Sequence, residues 1–126
     1  MELRDCNPKI LKDLKKVKNA LVSAAKEAKA TLVDLSFHEF SPFGISGMVI
    51  IEESHLSIHT WPEYSYAAID IFTCSDVINT EMAAASLIES FESKNPSFFE
   101  LKRGILSPMN VKLPVKITNP ELAPLI

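Results

Sequence analysis

An α+β fold, a two-layer α/β sandwich in which an antiparallel sheet carries two helices on one face, is predicted by three features of this sequence. Two segments repeat their apolar residues at helical spacing, the segments between them have the length and residue types of strands, and short turn-like connectors make those strands antiparallel neighbours. At 126 residues the chain has the size of a single domain, 1–126, with one core.

Residues 2–5 have the composition of a short strand. Asn7 and Pro8 open a helix over about residues 9–29, Asn7 as its cap and Pro8 in the first turn, where a missing N–H costs nothing. Ile10, Leu14, Val17, Leu21, Ala25 and Ala28 form its apolar stripe. Strands are expected over residues 31–40, which start β-branched, 45–52, a buried apolar run, 55–61, which alternates, and 66–73, apolar on both faces. Ser41-Pro42-Phe43-Gly44 and Pro62-Glu63-Tyr64-Ser65 supply turns between them. A second helix over about residues 80–93 places Ala84, Leu87, Ile88 and Phe91 on one face and stops before Pro96. A last strand is expected near residues 97–102, and the tail, with Pro108, Pro114, Pro120 and Pro124, is expected to run extended over the surface. Strands apolar on both faces predict that the second sheet face is covered too, by another copy of the chain.

Composition removes several functional classes. With 47% hydrophobic and 23% charged residues the chain has globular proportions, and disorder, collagen-like repeats and coiled coil are poor fits. Gly44, Gly47 and Gly104 are its only glycines, so neither a dinucleotide-binding GxGxxG nor a phosphate-cradling loop is written anywhere. Cys6 and Cys74 build neither a four-cysteine zinc site nor a disulfide scaffold, and no secretory leader is written at the N-terminus, so free thiols in a reducing cytoplasm are expected. The longest uncharged stretch, residues 40–51, contains Pro42 and falls well short of the ~20 residues of a membrane helix, so no membrane partner is expected.

Charge is unevenly placed: residues 1–30 carry eight Lys/Arg against four Asp/Glu, whereas residues 31–126 carry five against twelve. Most of the lysines lie between the apolar residues of the first helix, which reads as a solvated face and not as a nucleic-acid surface. The acidic part is more informative, because Glu52, Glu53, Glu63 and Asp70 share one short stretch with the reactive residue types, which suits a cationic ligand.

That stretch, residues 53–63, reads Glu-Ser-His-Leu-Ser-Ile-His-Thr-Trp-Pro-Glu. His55 and His59 share a strand face, but at ~3.3 Å per residue their Cα atoms stand ~13 Å apart, too far to ligate one zinc, and no metal site is expected. A Ser-His nucleophile pair lacks a nucleophile elbow or oxyanion loop around Ser54 or Ser57. Taken singly, a strand histidine is usually a surface group and Trp61 a core residue.

The combination points elsewhere. Glu-Ser-His (53–55) ahead of Ser-Ile-His-Thr-Trp-Pro-Glu (57–63), followed by Ala-Ile-Asp-Ile-Phe-Thr-Cys (68–74), resembles the short prokaryotic S-adenosylmethionine decarboxylases, pyruvoyl enzymes that cut themselves at a Glu-Ser bond. The resemblance runs without a gap from about Phe37 to Cys74. It implies cleavage between Glu53 and Ser54 into a β chain of residues 1–53 and an α chain of residues 54–126, with Ser54 converted to pyruvoyl. The chemistry explains the serine, since only a β-hydroxyl can attack its own preceding carbonyl and then be lost by β-elimination. Ser46 and His59 are the implied assistants of that processing, His59 because imidazole moves protons near neutral pH.

In the mature enzyme the resemblance implies a Schiff base between pyruvoyl and the substrate amine, with no metal and no pyridoxal phosphate. Cys74 is the implied proton donor after carbon dioxide leaves. Phe40 and Trp61 are the implied aromatic pair around adenine and the sulfonium, and Glu63 the implied partner of the ribose hydroxyls. The product is decarboxylated S-adenosylmethionine, the aminopropyl donor for spermidine and polyamine biosynthesis, and the assembly implied is a cytoplasmic dimer of processed αβ pairs. A same-fold arginine or ornithine decarboxylase is the nearest rival, and an inactive regulatory paralogue the next. Retained Phe40, Trp61 and Glu63 favour adenosine over a guanidinium, and intact Ser54, His59 and Cys74 argue against inactivity. Two departures stand out: Ser75 follows Cys74 where the family usually has Gly, and only the end of the usual first strand precedes Asn7, which leaves the sheet edge open to question.

Overall fold

The first helical segment starts where its sequence signals place it: the Asn7 side chain accepts the Lys9 N–H at 3.0 Å and Pro8 occupies the first turn. In this computed structural model, which describes residues 1–104, that segment is not one helix. Helix α1 (Pro8–Leu11) ends after a single turn, and α2 (Leu14–Glu27) starts afresh with the Asp13 side chain capping the Lys16 N–H at 3.1 Å. The expected continuous helix over 9–29 is corrected accordingly, because the apolar stripe passes through the break while the capping aspartate makes it. Helix α3 (Thr80–Phe91) is capped by Asn79, whose side chain accepts the Met82 N–H, and ends at Glu92 in the left-handed conformation.

Strands β1 (Glu2–Arg4), β2 (Leu32–Glu39), β3 (Ile45–Ile51), β4 (Ser54–Trp61), β5 (Tyr66–Thr73) and β6 (Asn95–Ser97) form one sheet in the order β2-β3-β4-β5-β1-β6, antiparallel throughout. Between β4 and β5, Pro62–Tyr64 form a 3-10 turn closed by Ser65 in the left-handed conformation. The expected last strand near 97–102 is corrected to Asn95–Ser97, because Pro96 lies opposite Leu3 in an edge strand, where a missing N–H is tolerated. The short first strand is therefore no ragged edge but an interior strand covered by β6. The expected extended tail lies outside the described residues.

Alternation divides the sheet. Ile45, Val49 and Ile51 of β3, Leu56 and Ile58 of β4, and Ala67 and Ile69 of β5 are buried under Val17, Leu21, Ala24 and Ala25 of α2 and Leu87 and Phe91 of α3. A fully buried side chain of this size contributes ~1.5–3 kcal/mol, so this layer dominates stability. Among the described residues Thr60 is the one buried polar side chain of the core; its hydroxyl accepts the Ile45 N–H and donates to the Leu11 carbonyl oxygen, both at 2.9 Å, pinning α1 to the sheet. Among the described residues no helix covers the other face. Phe40, Met48, Ile50, Trp61 and Phe72 stand there 36–49% exposed.

Candidate active site

Strands β3 and β4 are joined by Glu52 and Glu53 alone, since Ile51 pairs with Ser54. So tight a hairpin needs positive φ near its turn, normally met by glycine or asparagine. Neither is present, and the positive φ falls on Ser54, at +143°. Such a backbone costs a non-glycine residue on the order of 1–3 kcal/mol and persists only where its surroundings enforce it. Three hydrogen bonds surround it. The Cys74 N–H donates to the Glu53 carbonyl oxygen at 2.9 Å, and the two Glu53 carboxylate oxygens accept from the Thr31 N–H and the Thr31 hydroxyl, both at 3.2 Å.

The strained conformation has a chemical meaning. In an L-residue Cβ is offset by about 120° from the carbonyl carbon in the torsion about N–Cα, so at this φ the Ser54 Cβ lies roughly 20° from eclipsing the Glu53 carbonyl carbon. At the φ of ordinary strands, about −120 to −140°, Cβ points well away from that carbon. Ser54 thus carries its hydroxyl on the side of the preceding carbonyl, where rotation about Cα–Cβ brings Oγ toward the carbon. Glu53, Ser54 and Cys74 are gathered at this end of the sheet, and Cys74 is exposed. Ser75, in the position of the expected glycine, has no positive φ; its hydroxyl accepts the Val77 N–H at 3.1 Å and shapes the turn instead.

A second group occupies the opposite end of the open face. Ser46 and His59 are paired across β3 and β4, with Ser46 Oγ 2.6 Å from His59 Nδ1. Past the last paired residues of β3 and β4 this end of the sheet carries Phe40, Gly44, Trp61 and Tyr66, with Trp61 paired with Tyr66 and the Phe40 N–H bonded to the Gly44 carbonyl oxygen at 2.8 Å. Strands lie ~4.8 Å apart, so the backbones of Phe40 and Trp61 are separated by about 10 Å with only glycine between them, a slot the thickness of one aromatic ring. Gly44 has φ +110°, and a Cβ there would meet the Thr60 carbonyl oxygen at 3.3 Å. Trp61 is backed by Tyr66, ring centroids 5.4 Å apart, and His38 sits edge-on to Phe40 at 4.5 Å. The Tyr66 hydroxyl donates to Glu2 at 3.0 Å; Glu2 is paired with Arg4, which donates to Ser97 at 3.0 Å. Partial burial, then the Glu2 bond, push the Tyr66 phenol above its usual range. Glu63 is exposed in the turn that follows Trp61.

The sequence-predicted residues therefore form two groups, Glu53, Ser54 and Cys74 at one end and Ser46, His59, Phe40, Trp61 and Glu63 at the other. Five residues along β4 separate Ser54 from His59, about 16 Å at strand spacing, so one chain does not bring the groups together. The acidic residues are likewise dispersed: Asp70 faces the open side opposite Ser57, and the Glu53 carboxylate is engaged by Thr31. His55 stacks on Phe72 at 5.5 Å, and among the described residues no three His, Cys, Asp or Glu side chains converge as metal ligands. Cys6 is buried, and burial raises its thiol pKa. Three groups that contact these residues escaped the sequence reading: Thr31, Tyr66 and the main-chain N–H of Cys74. Tyr66 was legible as the hairpin partner of Trp61; Thr31 meets Glu53 only through the fold.

A family profile described as S-adenosylmethionine decarboxylase matches residues 1–104. An S-adenosylmethionine decarboxylase proenzyme of Thermodesulfovibrio yellowstonii is 61% identical over 122 residues, covering 97% of this chain and 90% of that protein. A proenzyme of the same name from Acidithiobacillus ferrooxidans is 49% identical over 84% of this chain and 80% of its own. The crystal structure of the adenosylmethionine decarboxylase from Aquifex aeolicus is similar with a TM-score of 0.79 at 28% identity, covering 88% of this chain and 92% of that one.

Proposed function

The chain belongs to the S-adenosylmethionine decarboxylase family, and from that premise we propose that it is a self-cleaving proenzyme whose mature form carries a pyruvoyl group made from Ser54 and decarboxylates S-adenosylmethionine. The observation that carries this reading is the Glu53–Ser54 junction, where the positive φ of Ser54 turns its Cβ toward a carbonyl already hydrogen-bonded by Cys74.

Ser54 Oγ adds to the Glu53 carbonyl carbon while the Cys74 N–H stabilises charge growing on the oxygen. The Glu53 C–Ser54 N bond breaks, the nitrogen takes up the proton, and an ester joins the two residues. Loss of the Ser54 α-proton expels the Glu53 carboxylate from Cβ; hydrolysis of the resulting dehydroalanine releases ammonia and leaves a ketone at the new N-terminus. The precursor residues are in place for this group, and no phosphate loop or lysine is required. Once formed, the pyruvoyl ketone supplies an electron sink for the pair left on the substrate carbon when carbon dioxide departs. The exposed Cys74 thiol returns a proton to that carbon. The Phe40–Gly44–Trp61 slot takes adenine and faces the sulfonium, while Glu63 accepts hydrogen bonds from the ribose hydroxyls.

His59, held by Ser46, moves protons during processing, yet it lies about 16 Å along the strand from Ser54 in the same chain, beyond hydrogen-bond reach. A second copy resolves this. A two-fold axis between facing sheets and across their strands sets the Ser54 end of one chain against the His59 end of its partner, and covers Met48, Ile50 and Phe72 at the same time. Each of the two sites is then shared. This reading makes the protein a cytoplasmic supplier of aminopropyl groups for polyamine synthesis.

A denaturing mass spectrum tests the reading. Fragments 1–53 and 54–126, with pyruvoyl at position 54, are expected from wild type, one intact inactive chain from Ser54→Ala, and slow processing from Ser54→Cys, whose thiol still accepts the acyl group. An intact wild-type chain that decarboxylates would overturn it.

A further inference from the structure

The Glu53–Ser54 junction is held from two sides, by Cys74 and by Thr31. Cys74 binds the carbonyl oxygen. From the other side comes Thr31, between α2 and β2, which uses three groups: its N–H and hydroxyl hold the two Glu53 carboxylate oxygens at 3.2 Å each, and its carbonyl oxygen accepts the Glu52 N–H at 2.9 Å. The two-residue connection is thus tied at both of its residues to one threonine. A turn this short has few soft torsions; with Glu52 and the Glu53 side chain fixed and the Glu53 carbonyl on Cys74, the remaining mismatch of the hairpin is left at Ser54 as φ +143°.

We propose that Thr31 is a positioning residue for self-cleavage, holding the Glu53 carboxylate at both oxygens so that Ser54 keeps the backbone conformation from which its hydroxyl reaches the Glu53 carbonyl. Ring closure joins five atoms, Glu53 C, Ser54 N, Cα, Cβ and Oγ, and requires a small torsion about N–Cα; a preset torsion removes a search from the barrier. Thr31 touches neither the scissile bond nor Ser54, so its effect is exerted through Glu53. After cleavage that role ends, because Glu53 becomes a chain terminus and Ser54 no longer has a preceding residue. Processing and turnover therefore respond differently to Thr31. The proposal rests on cleavage at Glu53–Ser54.

The test follows the appearance of fragment 54–126 by mass spectrometry in freshly synthesised chain, and separately measures carbon dioxide release per cleaved chain. Thr31→Val keeps the β-branch and the N–H and removes the oxygen; processing at least ~10-fold slower is expected, with decarboxylation kcat per cleaved chain unchanged. Thr31→Ser, which restores the hydroxyl, should process within ~3-fold of wild type. Thr31→Ala, which removes the same oxygen, replaces the valine variant if that one does not fold. Processing of the oxygen-free variant at the wild-type rate overturns the proposal. So does equal slowing in Val and Ser variants, which would assign the effect to shape, or a matching fall in kcat per cleaved chain, which would assign it to general structure. A wild-type chain that does not cut at Glu53–Ser54 overturns the underlying reading and the proposal with it.

Discussion

The main-chain N–H of Cys74 lies 2.9 Å from the carbonyl oxygen of Glu53, while the thiol of the same residue is exposed. One residue thus presents two groups to one place, a backbone donor that every substitution but proline keeps and a thiol that every substitution removes. On the proposed mechanism, cleavage and turnover should be separable at this position for that reason.

Cys74→Ala should self-cleave at close to the wild-type rate and lose at least ~100-fold in decarboxylation, the scale of a lost general acid. Fragment appearance and carbon dioxide release measure the two steps. Undiminished turnover would make Cys74 a bystander and move the proton to His59 or water. Alkylation supplies a control: iodoacetamide should modify Cys74 in the folded protein and spare Cys6, which is 5% exposed with its thiol pKa raised by burial.

Shared sites predict complementation between dead chains. Ser54→Ala and His59→Ala should each be inactive alone. Co-expressed in equal amounts, they should recover about one quarter of wild-type decarboxylation, since half of the dimers are mixed and each mixed dimer holds one intact site. Activity no higher than that of the separate variants would place Ser54 and His59 in one chain's site.

Substrate choice should follow the slot. An adenine between Phe40 and Trp61 gains ~1–3 kcal/mol from stacking, whereas arginine and ornithine have neither ring nor ribose to place there. Carbon dioxide release from S-adenosylmethionine should exceed that from arginine or ornithine at least ~100-fold in kcat/KM, ~2.7 kcal/mol of transition-state discrimination. Trp61→Ala should narrow the gap. A processed enzyme that prefers the basic amino acids would overturn the substrate and leave the self-cleavage standing.

Gly47 tests the packing that supports the site. A Cβ at this position would lie 2.1 Å from the Phe37 ring, which covers Gly47 from the neighbouring strand. Gly47→Ala should cost ~1–3 kcal/mol by overpacking, read as a lower urea midpoint at constant slope. Phe37→Leu in the same chain should recover part of the loss. An unchanged midpoint would show that the ring moves freely.

Much of the fold was legible because its signals are local. Asn7-Pro8, the apolar runs of β3 and β5, and the stripe of α3 each declare an element within a few residues. The break between α1 and α2 was hidden by an apolar stripe that passes straight through it, although Asp13 three residues before Lys16 was a cap in plain sight. Strand β6 was misplaced because its bounds come from pairing with Arg4 and Leu3, more than ninety residues away in sequence. At the site, residue types were legible and distance was not. The spacing arithmetic that parts His55 from His59 also parts Ser54 from His59, so a motif compact in sequence is extended along a strand.

The sheet order carries one more consequence. A cut after Glu53 leaves β1, β2 and β3 on one piece and β4, β5 and β6 on the other, yet the spatial order is β2-β3-β4-β5-β1-β6. The pieces are interleaved, with β1 clasped between β5 and β6, so three strand seams join them, β3 with β4, β5 with β1, and β1 with β6, beside the packing of α2 on α3. Before the cut, unfolding is a unimolecular event and the connecting turn lowers the entropy cost of return. After it, unfolding is also dissociation: the melting midpoint becomes concentration-dependent, and the separated pieces have no covalent memory of their register. On the proposed cleavage, folding would have to be finished before maturation begins, and the mature molecule would endure by how slowly these seams come apart, not by how readily they would re-form.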